Sequence, residues 1–331
     1  MTLKIIALMS IFVLTASIAT AMGSHETVNV SEAKGKWKGF EFKKTREFIK
    51  EMETRPDFPV STGLAYDYVY SLRALGATIQ PTRKKSIITY LQQTQQNEGG
   101  FAADKTNKVG SLLFTDIAID TLAYLDSAGA PDTEKTKKFI IALKNPDGGF
   151  GFSSASRQST IATTYYAVKI LASLNALSSV DKAKTTGFIK GFERKDTGGF
   201  GYVKGKGSAT AKTTYMALYT LNALGTLDEA TRKNSLRFLE GAPCGKKSQK
   251  KEMPELNEVS YTLQAAKVLK SKDAIDVKRV ADFLKRIYIP VNGGFGPLEG
   301  YGSTPDSTTT AVRILAEIGR IKAPVTHPLV K

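Results

Sequence analysis

Two carboxylates stand four residues apart in Asp116-Ile117-Ala118-Ile119-Asp120, which puts both on one face of a helix. Such a pair could hold a cation, or crowd like charges until one pKa rises. The same spacing suits two solvated or capping carboxylates at a helix end. Other reactive side chains are scarce. The single cysteine, Cys244, excludes an intrachain disulfide and reads as a buried, inert thiol. The two histidines, His25 and His327, lie near the termini. Tyr66, Tyr165, Tyr215 and Tyr261 recur at the start of one class of predicted helices. They either line a pocket with a few polar anchors or pack the junctions between structural units. Lysines gather in two loops, at Lys204, Lys206 and Lys212 and at Lys246, Lys247, Lys250 and Lys251. Laid side by side these loops form a basic rim for an anionic partner; as mobile, soluble loops they need no partner. With a net charge of +16, the expected partners are anionic surfaces such as acidic lipid headgroups or wall polymers, or a protein, with membrane-surface contact included. Nucleic acid is not expected, because no stacking aromatics interleave with the lysines.

These residues are positioned by a repeat. Gly-Gly-Phe occurs at Gly99-Gly100-Phe101, Gly148-Gly149-Phe150, Gly198-Gly199-Phe200 and Gly293-Gly294-Phe295. The first two gaps are 49 and 50 residues and the last is 95, nearly double. The missing copy falls at Gly241-Ala242-Pro243-Cys244-Gly245, and one period before Gly99 the glycines are absent. Before the glycines stand Phe48-Ile49, Tyr90-Leu91, Phe139-Ile140, Phe188-Ile189, Phe238-Leu239 and Phe283-Leu284. After them an apolar stripe at i, i+3, i+4 and i+7 marks a helix face: Ala118, Thr121, Leu122, Leu125; Ala167, Ile170, Leu171, Leu174; Ala217, Thr220, Leu221, Leu224; Ala311, Ile314, Leu315, Ile318. Tyr68, Ser71, Leu72 and Leu75 supply a first copy, and Val259 to Leu269 a looser fifth. Paired glycines permit the positive φ that ends one helix and reverses the chain. Thr163-Thr164 and Thr213-Thr214 are placed to cap the helices that follow. No alternating strand pattern of useful length appears. Helix pairs of this kind bury their faces only by stacking.

The N-terminus carries Lys4, an apolar run from Ile5 to about Met22, and Ala19-Thr20-Ala21 as a small-x-small cleavage pattern. Residues 1–21 are therefore expected to be a signal peptide and the protein to be secreted or periplasmic. The alternative is an uncleaved helix anchoring the chain to a membrane.

Asn145-Pro146-Asp147-Gly148-Gly149-Phe150-Gly151-Phe152, with Ser159-Thr160 and Thr164-Tyr165-Tyr166-Ala167, resembles the repeat of protein prenyltransferase β subunits, type II geranylgeranyl transferase included. Gln92 to Phe101 resembles the related repeat of squalene and other terpenoid cyclases. The resemblance implies an all-α fold, an α6/α6 toroid of about six helix pairs, with the helix after each glycine loop inside and a central cavity. The expected organisation is a linker over residues 22–38, the toroid over 39–321 and a tail over 322–331.

In prenyltransferase β subunits zinc activates the acceptor thiolate, held by an Asp-x-Cys-Tyr-[Ser/Thr] segment and a later His. The matching residues here are Glu258 and Ser260 in Glu258-Val259-Ser260-Tyr261-Thr262, and Thr309 or Thr310 in Asp306-Ser307-Thr308-Thr309-Thr310. Hydroxyls are poor zinc ligands beside thiolate or imidazole, so neither zinc nor another cofactor is expected. Where the family holds the isoprenoid diphosphate with Arg and Lys, this chain aligns Glu252 and Glu255, with Lys250 and Lys251 nearby. The protonating Asp-x-Asp-Asp of the cyclases has only Asp116 and Asp120 as a counterpart, and the thioester segment of complement-type toroids is broken at Cys244-Gly245-Lys246-Lys247. The expectation is a non-catalytic toroid that binds a ligand, lipid or protein. The alternative is a divergent transferase of prenyl groups or a cyclase-type enzyme, with Glu258, Asp116 and Asp120 as its first candidates. A glycan-active α/α barrel using paired carboxylates ranks last.

Overall fold

The computed structural model describes residues 40–127, 131–250 and 252–324, all within a compact unit that begins at Lys38. The signal segment, the whole of the linker, residue 39, His25, His327, Lys251 and residues 325–331 lie outside the described residues. The described residues form twelve α-helices in six pairs. The outer helices are α1 (Phe42–Lys50), α3 (Pro81–Thr94), α5 (Thr133–Ala142), α7 (Lys182–Lys190), α9 (Glu229–Gly241) and α11 (Val277–Ile287). The inner helices are α2 (Thr62–Ala74), α4 (Leu112–Tyr124), α6 (Ile161–Ser173), α8 (Ala211–Ala223), α10 (Leu256–Val268) and α12 (Pro305–Glu317). Each inner helix packs against the next, and α12 packs back against α2, so the array closes on itself. Among the described residues no helix is long and apolar enough to cross a membrane.

The caps differ by layer. Outer helices start at Asp132, Asp181, Asp228 and Asp276, whose carboxylates accept from the third backbone N–H of the helix. Inner helices start at Ser61, Ser111, Thr160, Thr210 and Thr304, whose hydroxyls do the same. The caps thus sit three residues before the expected Thr163 and Thr213. Thr163 instead closes a capping box with Thr160.

The next threonine ties the repeat together. Its hydroxyl accepts the amide of the Gly-Gly-Phe phenylalanine: Phe101 to Thr115 at 2.9 Å, Phe150 to Thr164 at 3.2 Å, Phe200 to Thr214 at 3.0 Å and Phe295 to Thr308 at 3.0 Å. All four phenylalanines are buried. The first glycine of each motif has positive φ and seats against the backbone of the following outer helix, where a Cβ would overlap Lys135, Lys184, Asn234 or Lys44. In three loops its carbonyl accepts a hydroxyl from that helix: Thr136 at 3.0 Å, Thr185 at 2.8 Å and Ser235 at 3.1 Å. The second glycine lies under an aromatic ring of the same helix, Phe139, Phe188, Phe238 or Phe48. Each loop therefore joins its own inner helix to the next outer one.

The sixth loop makes this joint with the first helix. Gly293 seats on Lys44 and Thr45 of α1. Glu41 donates its amide to the Tyr288 hydroxyl at 3.0 Å, and Lys44 Nζ reaches the Pro290 carbonyl at 3.1 Å. Besides the first loop, which lacks the glycines, two others depart from the pattern. In the fifth, Cys244 is buried and its carbonyl accepts from the Asp276 amide at 2.9 Å. Burial raises the thiol pKa to about 11, with the Thr262 hydroxyl opposing, so the thiol stays protonated. In the fourth, the chain forms a two-stranded antiparallel hairpin, β1 (Phe200–Val203) and β2 (Lys206–Thr210), which the sequence pattern did not call for. The Arg194 side chain holds it, donating to the carbonyls of Val203, Lys206 and Gly207.

Gly148→Ala is expected to cost about 2–5 kcal/mol, because backbone strain and overlap with α7 add. Gly205→Ala also lies at positive φ but faces open space, so it should cost about 1–2 kcal/mol. Urea midpoints of the two variants measure the difference; equal losses would show that the α7 contact contributes nothing.

A charged, tyrosine-lined cavity inside the ring

The inner helices carry six acidic and five basic residues. Ten of these eleven line one central cavity of about 500 Å³, the exception being Arg73. Eight of the thirteen tyrosines line it as well. An amphipathic helix usually turns its polar stripe to solvent; here closure of the ring turns that stripe inward.

Asp116, Asp120, Glu258 and all four predicted tyrosines, Tyr66, Tyr165, Tyr215 and Tyr261, face this cavity. The reading of Asp116 and Asp120 as solvated carboxylates at a helix end is corrected. They sit in the middle of α4, 7% and 9% exposed. Lys169 of α6 reaches across from the neighbouring pair to bind both, at 2.8 Å and 2.6 Å. Burial works against the Lys169 charge, but the two carboxylates outweigh it and hold its pKa well above the usual lysine value. Its stabilising contribution is therefore complete at neutral pH and is lost only when the pH rises past that elevated value.

Around this cluster the tyrosines form two groups. Tyr165 stacks edge-on with Tyr219 at 5.2 Å, and its hydroxyl meets that of Tyr215 at 3.2 Å. Across the cavity Tyr66, Tyr70 and Tyr124 enclose Arg313, which donates to the Tyr66 hydroxyl at 2.8 Å and lies 5.2 Å from the Tyr70 ring centre. Burial pushes the phenols up, Tyr215 to about 12, so they stay neutral hydrogen-bonding groups at any physiological pH. Lys267 pairs with Glu317 at 3.0 Å, and Lys212 Nζ stands 5.9 Å from the Tyr261 ring centre.

Asp67 and Asp306 also line the cavity, and sequence reasoning passed over Asp67. Burial first, and the Asp306 charge second, raise the Asp67 carboxyl to about 7, while Thr309 and Arg313 oppose the shift. Its place in the sequence, one residue after Tyr66 on a helix whose apolar stripe starts at Tyr68, was the available signal.

The zinc positions do not fit the metal. Ser260 is buried and its hydroxyl accepts from Gln264 at 3.2 Å. The Thr309 hydroxyl is engaged with that of Ser71 at 3.0 Å. Glu258 accepts from the Ala211 amide at 3.3 Å and is the one carboxylate of the three. Among the described residues no group of three His, Cys, Asp or Glu could hold a metal ion. Of the basic loop residues, Lys204 lies over the Phe188 ring at 4.2 Å and Lys247 pairs with Glu240 at 2.6 Å, while Lys206, Lys246 and Lys250 are exposed.

This fold and cavity define the class. The chain belongs to the prenyltransferase alpha-alpha toroid domain family, whose model matches residues 43–239 and 237–327. It is similar in structure to protein geranylgeranyltransferase-I from Candida albicans complexed with GGPP, at 14% identity and a TM-score of 0.75, over 89% of this chain and 96% of that one. It is also similar to a type II terpene cyclase from Scytonema in complex with geranylgeranyl dihydroxybenzoate, at 13% identity and a TM-score of 0.57, over 87% and 97% of the two chains. No curated protein matches the sequence at a significant level. At these identities the likeness is one of fold.

Lys169→Met leaves two carboxylates buried without their cation and should destabilise the protein by about 3–5 kcal/mol. Adding Asp116→Leu and Asp120→Leu should recover most of that loss in urea denaturation. Failure to recover would mean that the cluster stabilises through packing rather than charge.

Proposed function

We propose that the protein is an exported toroid acting as a binding module, and that its cavity takes a small organic cation. The observation that carries this reading is the charge of the lining. Seven carboxylates face four cations, and two of the cations are committed, Lys169 to Asp116 and Asp120 and Lys267 to Glu317. A diphosphate would enter against that excess. A cation would find carboxylates at Asp67, Glu255, Glu258 and Asp306 and the faces of tyrosine rings, each ring contributing about 0.5–2 kcal/mol. The volume lies within the range of small-molecule sites. The replaced zinc ligands and the bridging of Asp116 and Asp120 by Lys169 speak against the transfer and protonation chemistry that the family resemblance implies. Export is supported by the N-terminal apolar run, and sequencing the N-terminus of the mature protein tests it.

A second reading, a divergent enzyme of the same fold acting on a prenyl substrate, is favoured by one observation. Asp116, Asp120 and Glu258 converge on one cavity, with a carboxyl at Asp67 poised near neutrality. Product formation from farnesyl or geranylgeranyl diphosphate, abolished in Asp67→Asn, would establish it.

Choline and tetraethylammonium, titrated calorimetrically, are expected to bind the purified protein, and Asp306→Asn to weaken them about tenfold. Asp67 must be ionised to attract a cation, so affinity should rise as pH increases through about 7. The unliganded protein should behave oppositely. Its Asp67 pKa is raised above the unfolded value, so the folded state holds an extra proton between about 4 and 7 and stability falls as pH rises through that window. Stoichiometric zinc binding with prenyl transfer, and no cation binding, would overturn the proposal.

A further inference from the structure

The positive charge of this protein has one address. The six outer helices contain twenty Lys and Arg against five Asp and Glu, and their capping aspartates, Asp132, Asp181, Asp228 and Asp276, bring the net to eleven out of sixteen for the chain. Every outer helix contributes at least three cations, from Lys43, Lys44, Arg46 and Lys50 on α1 to Lys278, Arg279, Lys285 and Arg286 on α11. The weakest sector is α9, where Glu229 and Glu240 offset two of three. The inner helices, by contrast, are slightly acidic. Because the helices stand around a closed ring, the charge forms a belt over the whole circumference rather than a patch on one side.

That distribution selects among anionic partners. A planar membrane touches a convex belt along one strip and leaves most of its cations unused. Among the described residues the exposed large apolar side chains are Val109, Ile141, Tyr202, Val203, Val291 and Tyr301, and only Ile141 belongs to an outer helix. The belt thus lacks the apolar wedges that enter a lipid interface and the aromatic platforms on which nucleic-acid bases stack. What it offers is backbone-type recognition: closely spaced cations whose neutralisation of phosphates releases condensed counterions. Cations one helical turn apart lie within a Debye length of about 8 Å at physiological salt, so neighbours act together on one passing chain.

We infer that the outer belt binds a flexible, linear polyphosphate-type polyanion that can follow the curve of the ring. This interaction is independent of the cavity and of what the cavity takes.

The test uses the full-length mature protein and fluorescently labelled long-chain polyphosphate at about 0.15 M salt. Lys135→Gln with Lys138→Gln on α5, and Lys278→Gln with Lys285→Gln on α11, neutralise opposite sides of the ring, and unchanged melting temperatures verify that each folds. Both pairs should weaken binding by the same several-fold factor, and combining them should multiply the losses. The slope of log affinity against log salt should flatten by about 0.7 to 0.9 per cation removed. Comparison arms are single-stranded DNA of equal charge and anionic phospholipid vesicles, which should bind no more tightly. Loss confined to one pair, tighter binding to DNA or to vesicles, or no polyphosphate binding at that salt would each overturn the inference.

Discussion

Four backbone amides, those of Phe101, Phe150, Phe200 and Phe295, are given to threonine hydroxyls one turn inside the helices that follow them. A buried amide without a partner costs about 1–3 kcal/mol, and these phenylalanines are buried because their rings plug the joint between layers. The threonine settles that cost while fixing where the loop stands on its inner helix. The glycine before it, bare of a side chain, lets the same loop touch the backbone of the next outer helix. One loop thus sets the angle between successive pairs, and four such steps, with the first and fifth loops built differently, bring Gly293 onto Lys44. Closure is the accumulated result of a local hydrogen bond and a local absence of Cβ.

Closure also decides the chemistry of the interior. Each inner helix has an apolar stripe that packs outward on its partner and a polar stripe on the other side. In an open solenoid that second stripe would face water. In the ring it faces itself, so Lys169 pairs with Asp116 and Asp120, Lys267 pairs with Glu317, and Arg313 turns to the Tyr66 hydroxyl. Buried ion pairs add little net stability over apolar residues, so folding alone does not account for eleven charged groups and eight tyrosines in this volume. Two proteins of similar fold are known in complex with GGPP and with geranylgeranyl dihydroxybenzoate. Here the lining carries more carboxylates than cations, the observation on which the proposed cation site rests.

The fold was legible because the signals are local. Gly-Gly-Phe at a period near fifty and the stripe Ala167, Ile170, Leu171, Leu174 each require only one stretch of sequence. The site was legible in part. Tyr165 and Tyr215 announced themselves by recurring in register, yet recurrence alone does not separate a junction residue from a cavity residue, since both repeat with the unit. Asp116 and Asp120 were visible as a pair but not as a buried one. Their cation, Lys169, lies 53 and 49 residues away in the next repeat, and nothing in the Asp116–Asp120 segment foretells it. The caps were misplaced by one turn because Thr163 and Thr213 look like caps, whereas their hydroxyls instead donate to the Phe150 and Phe200 carbonyls. The hairpin escaped notice because a side chain, Arg194, rather than strand alternation holds it.

Amide hydrogen exchange under native conditions examines the closing joint itself. Protection at the four phenylalanine amides, including Phe295, should match the global unfolding free energy, because all four loops share one cooperative ring. Fast exchange at Phe295 and along α1, with Phe150 still protected, would show the ring opening between its last and first units and would contradict the account.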